Sequence, residues 1–223
     1  STKNSTFNSD YFDLEPICKV SNLPFFNIDD MGSESLIHLI KQIKPNIIFC
    51  LGWSKLLPKE ILDIPQYGTI GFHPAALPKN RGRHPIIWSL VLGLKKTAST
   101  FFFMELTADS GPIISQKEID ITDLDNAQTL YEKILKVSKL QLLEILEHLK
   151  LKDLKSFPQN NLTANSWRKR THKDGLIDWR MSAKSIKNLV RALSKPYPGA
   201  SFFLNGIEHK VWSVEIYPFE AAN

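Results

Sequence analysis

Residues 68–116 read GTIGFHPAALPKNRGRHPIIWSLVLGLKKTASTFFFMELTADSGPIISQ, and their pattern decides the fold class. An apolar run from Gly68 to Phe72 leads directly into His73 and a loop punctuated by prolines. Pro85, placed for a first helical turn, opens PIIWSLVLG, with Gly93 as the expected C-cap. Thr97 to Met104 is β-branched and aromatic, a strand pattern, and Ile113 to Ile121 starts as a continuous apolar run and then alternates. Between these two strands TADSGP carries Asp109 into a Ser-Gly turn. Two titratable groups at strand ends, beside irregular backbone, form the pattern of an acid/base site in an α/β protein. Strand ends of a parallel sheet can bring His73 and Asp109 together across the thirty-six residues that separate them.

Upstream, the first dozen residues are rich in Ser, Thr and Asn and carry no periodicity. From Ser33, an expected N-cap, ESLIHLIKQI places Leu36, Leu39, Ile40 and Ile43 on one helical face, and Lys44-Pro45 stops it. Asn46 to Leu51 reads as a short strand buried on both faces. The loop from Gly52 to Pro58 follows, where ligands of open parallel sheets lie, and then a helical stretch to Ile64. Downstream, Asp125 is the expected cap of a long helix whose inward positions include Leu130, Ile134, Leu142, Leu146 and Leu149. Residues 151–167 are polar, proline-broken and aperiodic, and read as a linker or a long excursion. A helix from Ser182 to Leu193, the turn-rich KPYPGA and a hairpin around Asn205-Gly206 close the chain. Alternating helices and strands favour the α/β class, with a mostly parallel sheet covered on both sides and a small C-terminal α+β appendage.

The composition bounds the function. At 223 residues and 43% hydrophobic, the chain has enough apolar content for a substantial core. No apolar run approaches the roughly 18 residues needed to span a bilayer, and no signal-peptide pattern opens the sequence, so a cytoplasmic location is the default expectation. Cys18 and Cys50 form no CxxC pair and no His/Cys group at metal spacing, so two buried thiols are expected and no metal site. A net charge of +5 suits an anionic ligand such as a nucleotide better than nucleic acid. One local patch stands out: between Leu151 and Arg180 seven Lys/Arg face three Asp, with Arg168, Lys169 and Arg170 in a row. GxGxxG, the Walker-type phosphate loop, GxSxG and HExxH are all absent.

HPxxLP, then RGRHPIIW, then DSGPIISQ, and later DGxIDW and RALSKPYPGA together carry a resemblance that spans about Ile47 to Ala200. In this order they resemble the formyltransferases that use N10-formyltetrahydrofolate. The short part ending in PYPGA is most similar to the sugar N-formyltransferases, which formylate an amino group on a nucleotide-linked dideoxy sugar. The resemblance implies a Rossmann-like catalytic domain over 1–150, a linker over 151–170 and a substrate-side subdomain over 171–223. It further implies N10-formyltetrahydrofolate as formyl donor, a nucleotide-linked amino sugar as acceptor, a homodimer, and a place in bacterial surface-glycan synthesis. The family normally opens with a strand, a helix and a second strand, and that unit is expected to be missing from the residues given.

By the same resemblance, His73 matches the catalytic histidine and Asp109 the catalytic aspartate. Asparagine usually stands two residues before the histidine, and this chain has Gly71 there. Removing one oxyanion donor typically costs about 2.7–4 kcal/mol of transition-state stabilisation. His84 in the RGRHP loop is a candidate replacement, against a plain loop histidine. Backbone groups of Ser54, Lys55, Leu57, Thr107 and Gly111 match the folate contacts. Arg81 and Arg83, flanking Gly82, are candidates for a pyrophosphate or the folate tail. Lys195, Tyr197 and Pro198 match the segment on the sugar-nucleotide side. Two other readings stay open: methionyl-tRNA formyltransferase, favoured by the basic run, and a catalytically silent sugar-nucleotide- or folate-binding module, favoured by Gly71.

Overall fold

A computed structural model of the chain describes residues 12–28, 31–53 and 55–217. It divides into two compact units, one of Ser1–Ile48 with Leu57–Gly68 and one of Phe49–Leu56 with Thr69–Asn223. Ser54 and the first eleven residues lie outside the described residues.

The first unit holds α1 (Glu15–Val20), α2 (Ser33–Ile43) and α3 (Lys59–Leu62). Helix α2 starts one residue earlier than a Ser33 cap predicts, with Gly32 at the N-cap, and stops at Lys44 in the left-handed region because Pro45 follows. None of its residues is fully buried, and Ile43 is exposed. Leu57 and Ile61 are the buried apolar residues around α3. Strand β1 (Ile48–Cys50) is shorter than Asn46–Leu51 and only half-buried, so the two-sided burial expected of it is not observed. Cys18 and Cys50 are likewise half-buried rather than buried, and desolvation pushes the Cys50 thiol up to about 11.

The second unit holds His73 and Asp109. Its remaining elements are β2 (Thr69–His73), β3 (Arg81–Gly82), α4 (Pro85–Val91), β4 (Lys96–Phe103), β5 (Ile113–Asp120), α5 (Ala127–Leu151), β6 (Ser166–Trp167), α6 (Ala183–Ala192), β7 (Ala200–Leu204) and β8 (Ile207–Val211). The central sheet has the order β1-β2-β4-β5, flanked by helices, as the α/β class requires. Strand β4 runs antiparallel to both of its neighbours, with Ile70 opposite Phe103 and Lys96 opposite Asp120. The connection from Met104 to Pro112 is shorter than the crossover of about a dozen residues that parallel neighbours need. A register shift between Phe101 and Phe102 marks a bulge just before the Asp109 loop.

Helix α5 corrects two expectations. Its N-cap is Asn126, in a reciprocal capping box with Thr129. Asp125 instead closes a turn on Thr122 and ion-pairs with Lys133 at 2.6 Å. The buried face is Leu130, Ile134, Gln141 and Ile145, whereas Leu146 is exposed and Leu142 and Leu149 are half-buried. Gln141 lies inside because its amide donates to Ser99 O and Ser115 Oγ, which offsets desolvation.

One apolar core joins Ile86, Ile87 and Leu90 of α4, Leu130 and Ile134 of α5, and Leu189, Val190 and Ala192 of α6. Helix α6 lies within the expected span from Ser182 to Leu193, with Ser182 as its N-cap, its side chain accepting from Ser185 N. Asn205 (φ 51°) and Gly206 (φ 78°) make the left-handed pair that a tight hairpin between β7 and β8 requires. Strands β3 and β6 pair in parallel, which ties the segment expected to be a linker onto the loop after β2.

Candidate active site

Strand β2 ends at His73, which is 5% exposed. The loop that follows is pinned on three sides. Thr100 Oγ1 donates to Ala75 O, Gln116 Nε2 to Leu77 O, and Asn80 N to Asn165 Oδ1. This brings Asn80 O to 2.8 Å from His73 Nε2. A carbonyl only accepts, so Nε2 carries a hydrogen and Nδ1 is the nitrogen left to face the site.

Asp109 faces Nδ1. Its Oδ2 lies 3.7 Å away, within ion-pair reach but too far for a direct hydrogen bond. The approach is not a meeting of adjacent strand ends. Because β2 and β4 are antiparallel, the loop after β4 leaves from the level of Ile70, and Asp109 comes back towards His73. Two backbone features hold it there. Asp109 itself is left-handed (φ 55°), and the Gly82 amide donates to Oδ2 at 2.8 Å. Gly111 must be glycine, since a Cβ there would lie 1.9 Å from Phe103 O. At Gly82 (φ 99°) a Cβ would lie 2.3 Å from Trp167 O.

The space beside Gly71 is filled. A Cβ at this position would meet Met104 Cγ at 2.8 Å and the Phe102 ring at 3.0 Å, so packing occupies the place where a longer side chain would stand. His84 does not join His73 and Asp109 in a described bond. It sits left-handed at the N-cap of α4, and its Nδ1 accepts from Arg170 N at 3.2 Å. Burial first, and then Arg83, Arg170 and Lys169, hold its pKa below the ordinary value.

The two arginines of the basic run are held by local partners. Arg168 makes a two-pronged pair with Asp174, and Arg170 donates to the Asp174 carbonyl and lies 4.6 Å over the Trp88 ring. Asp174 is held well below the usual carboxylate range, chiefly by Arg168. Arg81 donates to Gln159 Oε1 and Asn161 Oδ1, and Arg83 is exposed. Lys195 lies 5.8 Å over Trp212, Tyr197 packs on the apolar core and Pro198 is exposed. Lys55 and Thr107 are exposed and Leu57 is buried. Sequence reasoning missed Asn80, Gln159 and Asn165. The only signal for the last two was an amide-rich run, Gln159 to Asn165, inside the polar stretch.

A family model described as formyl transferase matches residues 14–146, and one for the formyl transferase C-terminal domain matches 169–223. The chain belongs to the formyl transferase family. Solved structures share the fold at low identity. A 4-N formyltransferase from Francisella tularensis is 19% identical, with a TM-score of 0.74 over 92% of this chain and 83% of that one. Methionyl-tRNA formyltransferase from Clostridium thermocellum is 22% identical, with a TM-score of 0.66 over 86% and 82%. HypX from Aquifex aeolicus, solved with tetrahydrofolic acid, is 22% identical with a TM-score of 0.69. The match to HypX takes in 80% of this chain but only 31% of HypX. Within this formyltransferase fold the loops bring the buried His73 and the half-buried Asp109 to 3.7 Å of each other.

Proposed function

We propose that this formyltransferase moves a formyl group from N10-formyltetrahydrofolate to an amino group of a nucleotide-linked sugar. The observation that carries the reading is the buried His73, with Nε2 fixed on Asn80 O and Nδ1 turned to the Asp109 carboxylate. The bound formyltetrahydrofolate supplies an activated formyl group. Loop 105–111 fits such a donor. The carbonyls of Thr107 and Gly111 each accept one hydrogen bond, from Ser110 Oγ and Gln159 Nε2, and each keeps a second lone pair for an N–H edge. The amine nitrogen bonds to the formyl carbon as His73 Nδ1 takes the proton it sheds, and the imidazolium then faces the charge that develops on the formyl oxygen. As the carbon–N10 bond breaks that proton passes to N10, so that tetrahydrofolate leaves neutral. Asp109 stabilises that imidazolium and relays the proton through water, since 3.7 Å leaves no direct bond. Arg83 and Lys195 are exposed cations within the motifs and suit an anionic acceptor.

The test incubates the protein with formyltetrahydrofolate and a panel of UDP-, dTDP-, GDP- and CMP-linked amino sugars, and follows the gain of one formyl mass. Formylation of a sugar that disappears in His73→Ala supports the reading. Formylation of methionyl initiator tRNA with none on any sugar selects the tRNA alternative, and no transfer to either class leaves the silent binding module.

A further inference from the structure

We propose that Gln159 is a positioning residue for formyl transfer, fixing the backbone from which the Asp109 carboxylate meets His73; the inference rests on the roles given to those two residues above. Its side-chain amide is saturated. Nε2 donates to Asp109 O at 2.9 Å and to Gly111 O at 2.7 Å. Oε1 accepts from Arg81 Nε at 3.2 Å and from Arg81 Nη2 at 2.7 Å. Two N–H donors and two lone pairs are all that an amide offers, and here each has a partner.

These bonds close a ring through the site. The Asp109 carboxylate takes the Gly82 N–H, Gly82 follows Arg81 in the chain, the Arg81 guanidinium grips Gln159, and Gln159 grips the Asp109 carbonyl. Asp109 is therefore held at both its backbone and its side chain. Its left-handed φ of 55°, disfavoured for a residue with a Cβ, needs such restraint. Gln159 is itself anchored on both sides. Phe157 exchanges backbone hydrogen bonds of 2.8 Å with Ile113, and Asn161 Oδ1 takes a further Arg81 N–H. Three of the five guanidinium N–H groups of Arg81 are thereby engaged, so this arginine serves the ring before any ligand.

Gln159 makes these contacts only with carbonyls and Arg81, so it acts through Asp109 and not on the acceptor. Two variants of the full chain separate the functions of its amide. Gln159→Met keeps the shape without hydrogen bonds, and Gln159→Glu keeps the Arg81 pair while setting an oxygen against two carbonyls. In Gln159→Glu, kcat is expected to fall about a hundredfold while the acceptor KM stays within about twofold, as for a misplaced catalytic group. The Gly82 amide, which reports the Asp109 carboxylate, is expected to exchange its hydrogen about tenfold faster in both variants. Arg81→Met, which frees Gln159 Oε1 and Asn161 Oδ1 but leaves the Gln159 Nε2 bonds to the Asp109 loop, is expected to raise that exchange less, and it replaces Gln159→Glu if that protein does not fold. Unchanged Gly82 exchange in the Gln159 variants overturns the proposal, as does a loss of activity that lowers kcat and raises KM alike while only the melting temperature falls. The exchange experiment needs no substrate. A wild-type protein inactive on every acceptor would therefore sink the functional reading while the Gln159 ring is still judged.

Discussion

His73 and His84 stand eleven residues apart in the same motif-rich stretch, yet their surroundings give them opposite capacities. His73 has one nitrogen fixed on Asn80 O, and the other faces a carboxylate at a distance that leaves room for a proton to be exchanged. His84 has Nδ1 bonded to Arg170 N, and burial first, then three cations around it, disfavour its protonation. Around Asp109 the hydrogen bonds leave the reactive edge open. Around His84 the stacked Trp88, Arg168 and Arg170 fill the corner. A histidine is suited to proton transfer when one nitrogen is fixed and the other faces a carboxylate, and it is ill suited when burial and surrounding cations disfavour its protonated form.

The largest effect that bears on this contrast is expected on the His73 side. His73→Ala and Asp109→Asn are expected to lower turnover about 10²–10⁴-fold in the formyl-transfer assay, the range for losing a positioned acid or base. Thermal melting should move little in Asp109→Asn, because the amide oxygen still accepts from Gly82 N. Turnover retained in both variants would erase the distinction between the two histidines. Gly82→Ala ranks next. Its Cβ would meet a backbone carbonyl, and alanine is strained at φ 99°, so stability is expected to fall by about 2–4 kcal/mol in urea unfolding. On the His84 side, Trp88→Ala removes the ring under Arg170 and the bond from Nε1 to Arg168 O at 3.0 Å. It is expected to cost about 2–3 kcal/mol of stability while kcat of the folded protein stays within about twofold. A drop in kcat without destabilisation would make that corner part of the site.

The sequence revealed these regions unequally. The approach of His73 and Asp109 was legible because one ends a strand pattern, the other lies in the Ser-Gly turn after a later strand, and each is a titratable group. Helix α6 and the Asn205-Gly206 hairpin were legible because their punctuation is local. The direction of β4 is not visible in a period-two pattern, although the short Met104–Pro112 connection already argued against a parallel crossover. Gln141 carries no inward signal in the sequence, because its partners, Ser99 O and Ser115 Oγ, are remote in the chain. For the same reason Gln159 and Asn165 looked like parts of a solvated linker. Their partners are mostly backbone groups, and backbone groups leave no signature in the sequence that recruits them. Strands β3 and β6, two residues each, are too short to show any periodicity.

The smallest expected effect tests the protonation state of His84 directly. Burial, then Arg83, Arg170 and Lys169, lower its pKa in the folded chain, while Asp174 acts the other way. The unfolded chain binds this proton near the ordinary value of about 6.5, and the folded chain only at lower pH. The stability associated with neutral His84 is thus fully present above about pH 6.5 and is lost as pH falls through the lower, folded value. Asp178 and Glu208, each held down to about 2 by neighbouring hydrogen-bond partners, keep their contributions over that interval and lose them only in stronger acid. His84→Asn isolates the histidine, because asparagine tolerates φ 55° and its side-chain oxygen can take the Arg170 N–H without titrating. Urea midpoints of the two proteins are expected to stay parallel above about pH 7 and to diverge below it in favour of His84→Asn. A difference that stays constant down to about pH 5 would show that His84 does not resist protonation in the folded chain, and the contrast with His73 would then rest on geometry alone.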